Sequence, residues 1–221
     1  MIELKEVKLY NTSIIQKACQ DSMLNSKMIG IVDYSGAGKT YALDKFVKDN
    51  RGVYKIELGP SVTPKEMYIQ ILNELREEDV NRNESTSSII RQIRIELKEF
   101  TGNRLIIIDE AGRYEKQRVV YFHELRNLTQ NKCGLIISAH KDFERHLAKW
   151  VSDGISGVEE FSNRFSYFIK LKRPTDSEIK LFFETNGILK TQKQISLFNE
   201  ILNMKMRKRN WRIIYHMIAG L

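Results

Sequence analysis

Cysteine is scarce in this chain of 221 residues. Cys19 and Cys133 stand far apart, and the four histidines (123, 140, 146 and 216) are scattered. Neither a disulfide framework nor a zinc ribbon can be built from such spacing, so the expected compartment is reducing. Long apolar runs are missing as well. The longest stretch without a charge is nine residues, Ile213–Leu221, against the ~20 a membrane span needs. The opening Met1-Ile-Glu-Leu-Lys-Glu has no basic start followed by an apolar stretch, so a cytoplasmic protein is expected. There is no low-complexity tract and no internal repeat. Acidic residues are in deficit, 28 against 36 basic, for a net charge of +8. That balance favours polyanionic partners, with nucleic acid ahead of membranes because no basic amphipathic segment dominates.

With 42% hydrophobic and 29% charged residues, the chain has a globular composition. Five short β-rich runs, Met28–Val32, Val53–Leu58, Arg104–Ile108, Gly134–Ser138 and Tyr167–Leu171, alternate with helical patterns. Several are almost wholly apolar, as central strands of a parallel sheet covered on both faces must be. Thr63-Pro64-Lys65-Glu66, Thr175-Asp-Ser-Glu178 and Thr191-Gln-Lys-Gln194 each read as a helix start with a capping box. The alternation predicts an α/β fold with a five-stranded parallel sheet between helices. After Pro174 the strand signals stop, and helices are expected over 176–186, 191–205 and 209–219. The expected division is a core of residues 1–173 and a small helical lid of residues 174–221.

Directly after the first strand comes Asp33-Tyr-Ser-Gly-Ala-Gly-Lys39-Thr40. This is the phosphate-binding P-loop pattern with Asp33 in place of its first glycine. Gly36 and Gly38 let backbone N–H groups turn inward, and the following helix adds its positive end. Ser35, Gly36, Ala37, Gly38, Lys39, Thr40 and Tyr41 are therefore the expected nucleotide-binding segment. Lys39 would reach the β- and γ-phosphates, and Thr40 would offer its hydroxyl to Mg²⁺. About 70 residues on, Leu105-Ile-Ile-Ile108 ends in Asp109-Glu110. Asp109 is expected to hold the metal's water shell and Glu110 to act as general base on the attacking water. The expected ligands are ATP and Mg²⁺.

These residues resemble the AAA+ ATPases, and within them regulators of DNA transposition of the Mu B, TnsC, TniB and IstB kind. The resemblance runs from the helix at Thr12–Met23, through Gly36–Thr40 and Asp109-Glu110-Ala-Gly-Arg113, to Phe161-Ser-Asn-Arg164-Phe165. It implies a bacterial or phage protein that forms a ring or helical filament on DNA and acts on a transposase. It also implies a polar sensor at the end of the fourth strand, Ser138 or His140, where the usual Asn is absent. Arg164 would be an arginine finger completing a neighbour's site, with Arg145 next in line. Arg212, in Arg209-Asn-Trp-Arg212, would reach back to the phosphates from the lid.

The same resemblance places DNA near Asn81–Ser88 and the helix after it, through Arg82, Thr86, Ser87, Arg91 and Arg94. Hydroxyls at a helix start donate to phosphates, and arginines neutralise them. Arg113 and Lys116 form a second candidate, within Arg113–Arg118. No base-reading motif is present, so double-stranded DNA would be bound largely without regard to sequence. The alternatives are a helicase loader or replication initiator, and a P-loop small-molecule kinase. The kinase sits poorly with adjacent Asp109 and Glu110.

Overall fold

The computed structural model describes residues 5–99, 101–113 and 118–220. The sequence periodicities become an alternating chain of elements. Helix α1 (Tyr10–Asn25) leads to strand β1 (Met28–Asp33), then α2 (Lys39–Asp49) and β2 (Val53–Glu57). Two helices, α3 (Pro64–Arg76) and α4 (Thr86–Glu99), precede β3 (Leu105–Asp109). Helix α5 (Val119–Thr129) leads to β4 (Gly134–His140), and α6 (Asp142–Ser152) and α7 (Val158–Ser162) to β5 (Tyr167–Lys170). Helices α8 (Asp176–Thr185), α9 (Gln192–Asn203) and α10 (Trp211–Ala219) follow. All three expected capping boxes form, at Thr63, Thr175 and Thr191.

The sheet has the order β2-β3-β4-β1-β5, and its paired strands are all parallel. Every residue of β1 and β3 is buried, because helices cover both faces. The period-2 alternation divides the apolar side chains. Ile106, Ile108, Leu135 and Ile137 face α3, α4 and α5. Leu105, Ile107 and Ile136 face α1 and α2. A third cluster joins Ile179, Phe182 and Phe183 of α8, Ile201 of α9 and Trp211 and Ile214 of α10 to Val7 and Leu9 of the N-terminal segment.

The topology decides where chemistry can occur. The chain leaves β1 at the P-loop and leaves β3 at Asp109, and β4 lies between these strands. Three strand ends therefore converge at one rim, the usual ligand position in an open parallel sheet. Both cysteines are buried, and burial pushes each thiol up to about 12, which suits packing rather than reactivity.

Candidate nucleotide-binding site

The loop between β1 and α2 is held open by its glycines. Gly36 and Gly38 have φ of +81° and +89°, a region glycine enters without steric cost. A Cβ on Gly36 would also meet Asn210 Oδ1 at 2.6 Å, so the C-terminal helices could not approach. Asp33 has no such φ and needs no glycine. Its carboxylate accepts from the backbone N–H of Tyr34 at 2.7 Å and of Leu171 at 2.5 Å. The departure from the motif thus ties the loop to the end of β5. Asn11 reinforces that tie by donating to the carbonyls of Ala37 and Lys172 and accepting from the N–H of Lys172.

Lys39 Nζ donates to the carbonyls of Asp33 at 2.9 Å and Tyr34 at 3.2 Å. Burial is the largest influence on this ammonium and lowers its pKa, opposed by the charges of Asp33, Asp109 and Glu110. Asp109 is 1% exposed. Its Oδ2 accepts from Thr40 Oγ1 at 2.9 Å, and its Oδ1 from Ser138 Oγ at 2.7 Å and the Glu110 N–H at 3.0 Å. Glu110 lies at φ +56°, an uncommon conformation for a residue other than glycine. There it turns away from the strand onto the cavity wall.

That cavity holds about 510 Å³ and is lined by Ser35–Tyr41, Glu110, Lys5, Glu6, Trp211, Arg212 and Tyr215. Its size suits a nucleotide-sized ligand. Arg212 Nη1 donates to Ser35 Oγ at 2.9 Å, and the Trp211 N–H donates to the Gly36 carbonyl at 3.1 Å. Every expected nucleotide-segment residue, together with Glu110 and Arg212, therefore borders one space. Lys5, Glu6 and the aromatic pair Trp211 and Tyr215 had no motif to announce them.

The oxygen donors Thr40 and Asp109 suit a hard divalent cation bound by one or two protein groups and by phosphate oxygens. Among the described residues no cluster of three or more His, Cys, Asp or Glu side chains could cage a metal alone. Thr40 and Asp109 fit Mg²⁺ arriving with a nucleotide.

Ser138 is fully buried against Asp109 and does not line the cavity. His140 is half exposed, with Nδ1 3.0 Å from Asp142 Oδ2, and Arg145 pairs with the same Asp142. Arg164 is apart from the site. It is exposed beyond α7, with Nη1 3.3 Å from Gln130 Oε1. Two residues later, the Ser166 N–H bonds the carbonyl of Met28, where β1 begins. The P-loop leaves the other end of that six-residue strand, five steps on or roughly 17 Å away.

Arg82 and Ser87 are exposed, and Thr86 opens α4. Ser87, Arg91, Arg94 and Lys98 are all exposed, and their spacing places them along one face of α4. Ser85 Oγ caps the Ser88 N–H, and Glu84 accepts from Ser88 Oγ at 2.7 Å. The helix start is therefore already capped from within. The Arg113 side chain and Lys116 lie outside the described residues.

Residues 25–147 match the family described as AAA domain, more than half of the sequence. The chain belongs to the AAA domain family. Its fold is that of the AAA+ P-loop NTPases. The structure of the Aeropyrum pernix ORC2 protein in ADPNP-ADP complexes is similar, with a TM-score of 0.62 at 13% identity, covering 83% of this chain and 53% of that one. The Aeropyrum pernix ORC1 protein in complex with DNA gives 0.62 at 13%, covering 98% and 60%. Cdc6p from Pyrobaculum aerophilum gives 0.59 at 16%, covering 83% and 51%. The chain thus spans just over half the length of these proteins, and the likeness is one of fold. No curated protein matches the sequence. No helix among the described residues of this AAA domain is long and apolar enough to cross a membrane.

Proposed function

We propose that this AAA domain binds and hydrolyses ATP with Mg²⁺, and that it assembles on double-stranded DNA, largely without regard to sequence. The observation that carries this reading is the cavity in which Lys39, Thr40, Glu110 and Arg212 converge while Arg164 stands at the opposite end of β1. Mg²⁺ would supply positive charge shared between phosphate oxygens. With a nucleotide in place, Lys39 leaves two loop carbonyls for the β- and γ-phosphates. Gly36 and Gly38 aim backbone N–H groups inward, and Arg212 approaches the phosphates from α10. Ser138 fixes the carboxylate of Asp109 rather than touching substrate. Glu110 takes the proton of the attacking water. Arg164, too distant to serve its own site, serves that of the next copy in a head-to-tail ring or filament.

In the biological setting we infer, the assembly presents target DNA to a transposase, following the resemblance of Gly36–Thr40, Asp109–Arg113 and Asn163–Phe165 to transposition regulators. The second reading, a replication initiator or helicase loader, is favoured by the likeness in fold to ORC1 in complex with DNA. A transposase gene beside this one supports the first setting, and a replicative helicase gene the second.

The shared part of both readings is tested by fluorescence anisotropy of a labelled duplex. Affinity should be higher with ATP and Mg²⁺ than with ADP. It should also fall with salt at a log–log slope of about −0.9 per phosphate contacted. Equal affinity with either nucleotide, or no salt dependence, contradicts an assembly on DNA controlled by ATP.

A further inference from the structure

Lys55 is a charge in the middle of a strand, and its position gives it work that no motif describes. The pairing of β2 with β3 sets Lys55 opposite Ile107, two residues before Asp109. Its ammonium stands 3.6 Å from Asp109 Oδ2, the same oxygen that accepts from Thr40 Oγ1. Only 13% of the Lys55 side chain is exposed. Its short hydrogen bond goes instead to Asp44 on α2, a carboxylate that is 58% exposed. Thr40 and Asp44 are four residues apart, so they stack on one helix face. Thr40, Asp109, Lys55 and Asp44 thus form one polar row leading from the metal position to solvent.

We propose that Lys55 is a resident counter-cation that sets how much Mg²⁺ the site requires, with Asp44 as its alternative anchor. The inference rests on the reading of Thr40 and Asp109 as the Mg²⁺ position. A buried carboxylate without a nearby positive charge is costly, so Lys55, together with Lys39, offsets the charge of Asp109 while no metal is bound. When Mg²⁺ arrives, two cations compete for the same oxygen at close range, in surroundings that screen them poorly. Asp44 eases that competition by drawing the ammonium toward the surface. Removing Lys55 and removing the charge of Asp44 must therefore act in opposite directions on metal demand.

The experiment titrates Mg²⁺ into the full chain with a fluorescent ATP analogue and reads the Mg²⁺ half-saturation of nucleotide binding. Lys55→Met should lower the half-saturation severalfold. Asp44→Asn should raise it severalfold, because Lys55 then leans on Asp109 alone. The double variant should follow Lys55→Met, since Asp44 acts only through Lys55. Half-saturation points equal to the wild type, or shifted the same way in both single variants, overturn the proposal. If Lys55→Met fails to fold, Asp44→Asn decides alone, and an unchanged value overturns it. Wild-type binding that ignores Mg²⁺ altogether would instead contradict the metal reading of Thr40 and Asp109, and the proposal with it.

Discussion

Lys39 and Glu110 line the same cavity and have different proposed roles, so their loss should look different. Lys39 is a partly buried ammonium resting on two carbonyl oxygens, a poor match for its charge beside a phosphate. Lys39→Ala should weaken ATP binding about 10–100-fold, the worth of a hydrogen bond to a charged partner. Equilibrium titration with a fluorescent nucleotide checks this. Glu110→Gln keeps the shape and removes the proposed base, so binding should persist while turnover falls about 10²–10⁴-fold. Wild-type turnover in Glu110→Gln would reassign the base. The place of Lys39 and Glu110 beside one cavity was legible in the sequence because each sits at a fixed offset from a buried apolar strand. The partners of Asp33 and Lys55 were not. Asp33 reads as a flaw in the loop pattern until its carboxylate is seen to receive two backbone N–H groups, one of them from Leu171, 138 residues away. Lys55 reads as an ordinary strand residue until register brings it to Asp109. Long-range partners of this kind leave no local signature.

Among elements, those with chemical punctuation were the most legible. Thr63, Thr175 and Thr191 each announced a helix through a residue three positions on, and the structure has the reciprocal bonds. The five strands were visible as β-rich runs, several of them almost wholly apolar. Their order was not, because sequence carries no direct signal that β4 inserts between β1 and β3. Helix α4 is the element on which the DNA reading depends. Its buried side carries Ile89, Ile93 and Leu97, and its outer side Ser87, Arg91, Arg94 and Lys98. Replacing Arg82, Thr86 and Arg91 together with Ala touches no fully buried side chain, so the fold should hold. Duplex affinity should drop, and the salt slope should become shallower by about 2, one unit for each lost arginine–phosphate contact. Nucleotide affinity should not change. Unaltered DNA binding would move the contact to Arg113–Arg118 or to the basic segment Lys205–Arg212.

At the scale of the whole molecule, the candidate cavity and the proposed arginine finger lie at opposite ends of β1. The cavity with Lys39, Thr40 and Glu110 lies where the strands end, and Arg164 lies where β1 begins. The central claim is that a second copy joins them. An arginine supplied from a neighbour accelerates phosphoryl transfer by about 10³–10⁵-fold in related systems. Hydrolysis should then rise more than linearly with protein concentration and with added DNA. The most direct measurement is the ATPase rate of an equimolar mixture of Lys39→Ala and Arg164→Ala, at an ATP concentration that fills the intact cavity and leaves that of Lys39→Ala largely empty. In the mixture, intact cavities of one variant meet intact arginines of the other at head-to-tail interfaces, and about a quarter of the wild-type rate should return. A mixture as inactive as its components, with both variants folded and still able to assemble, would contradict catalysis shared between copies through Arg164.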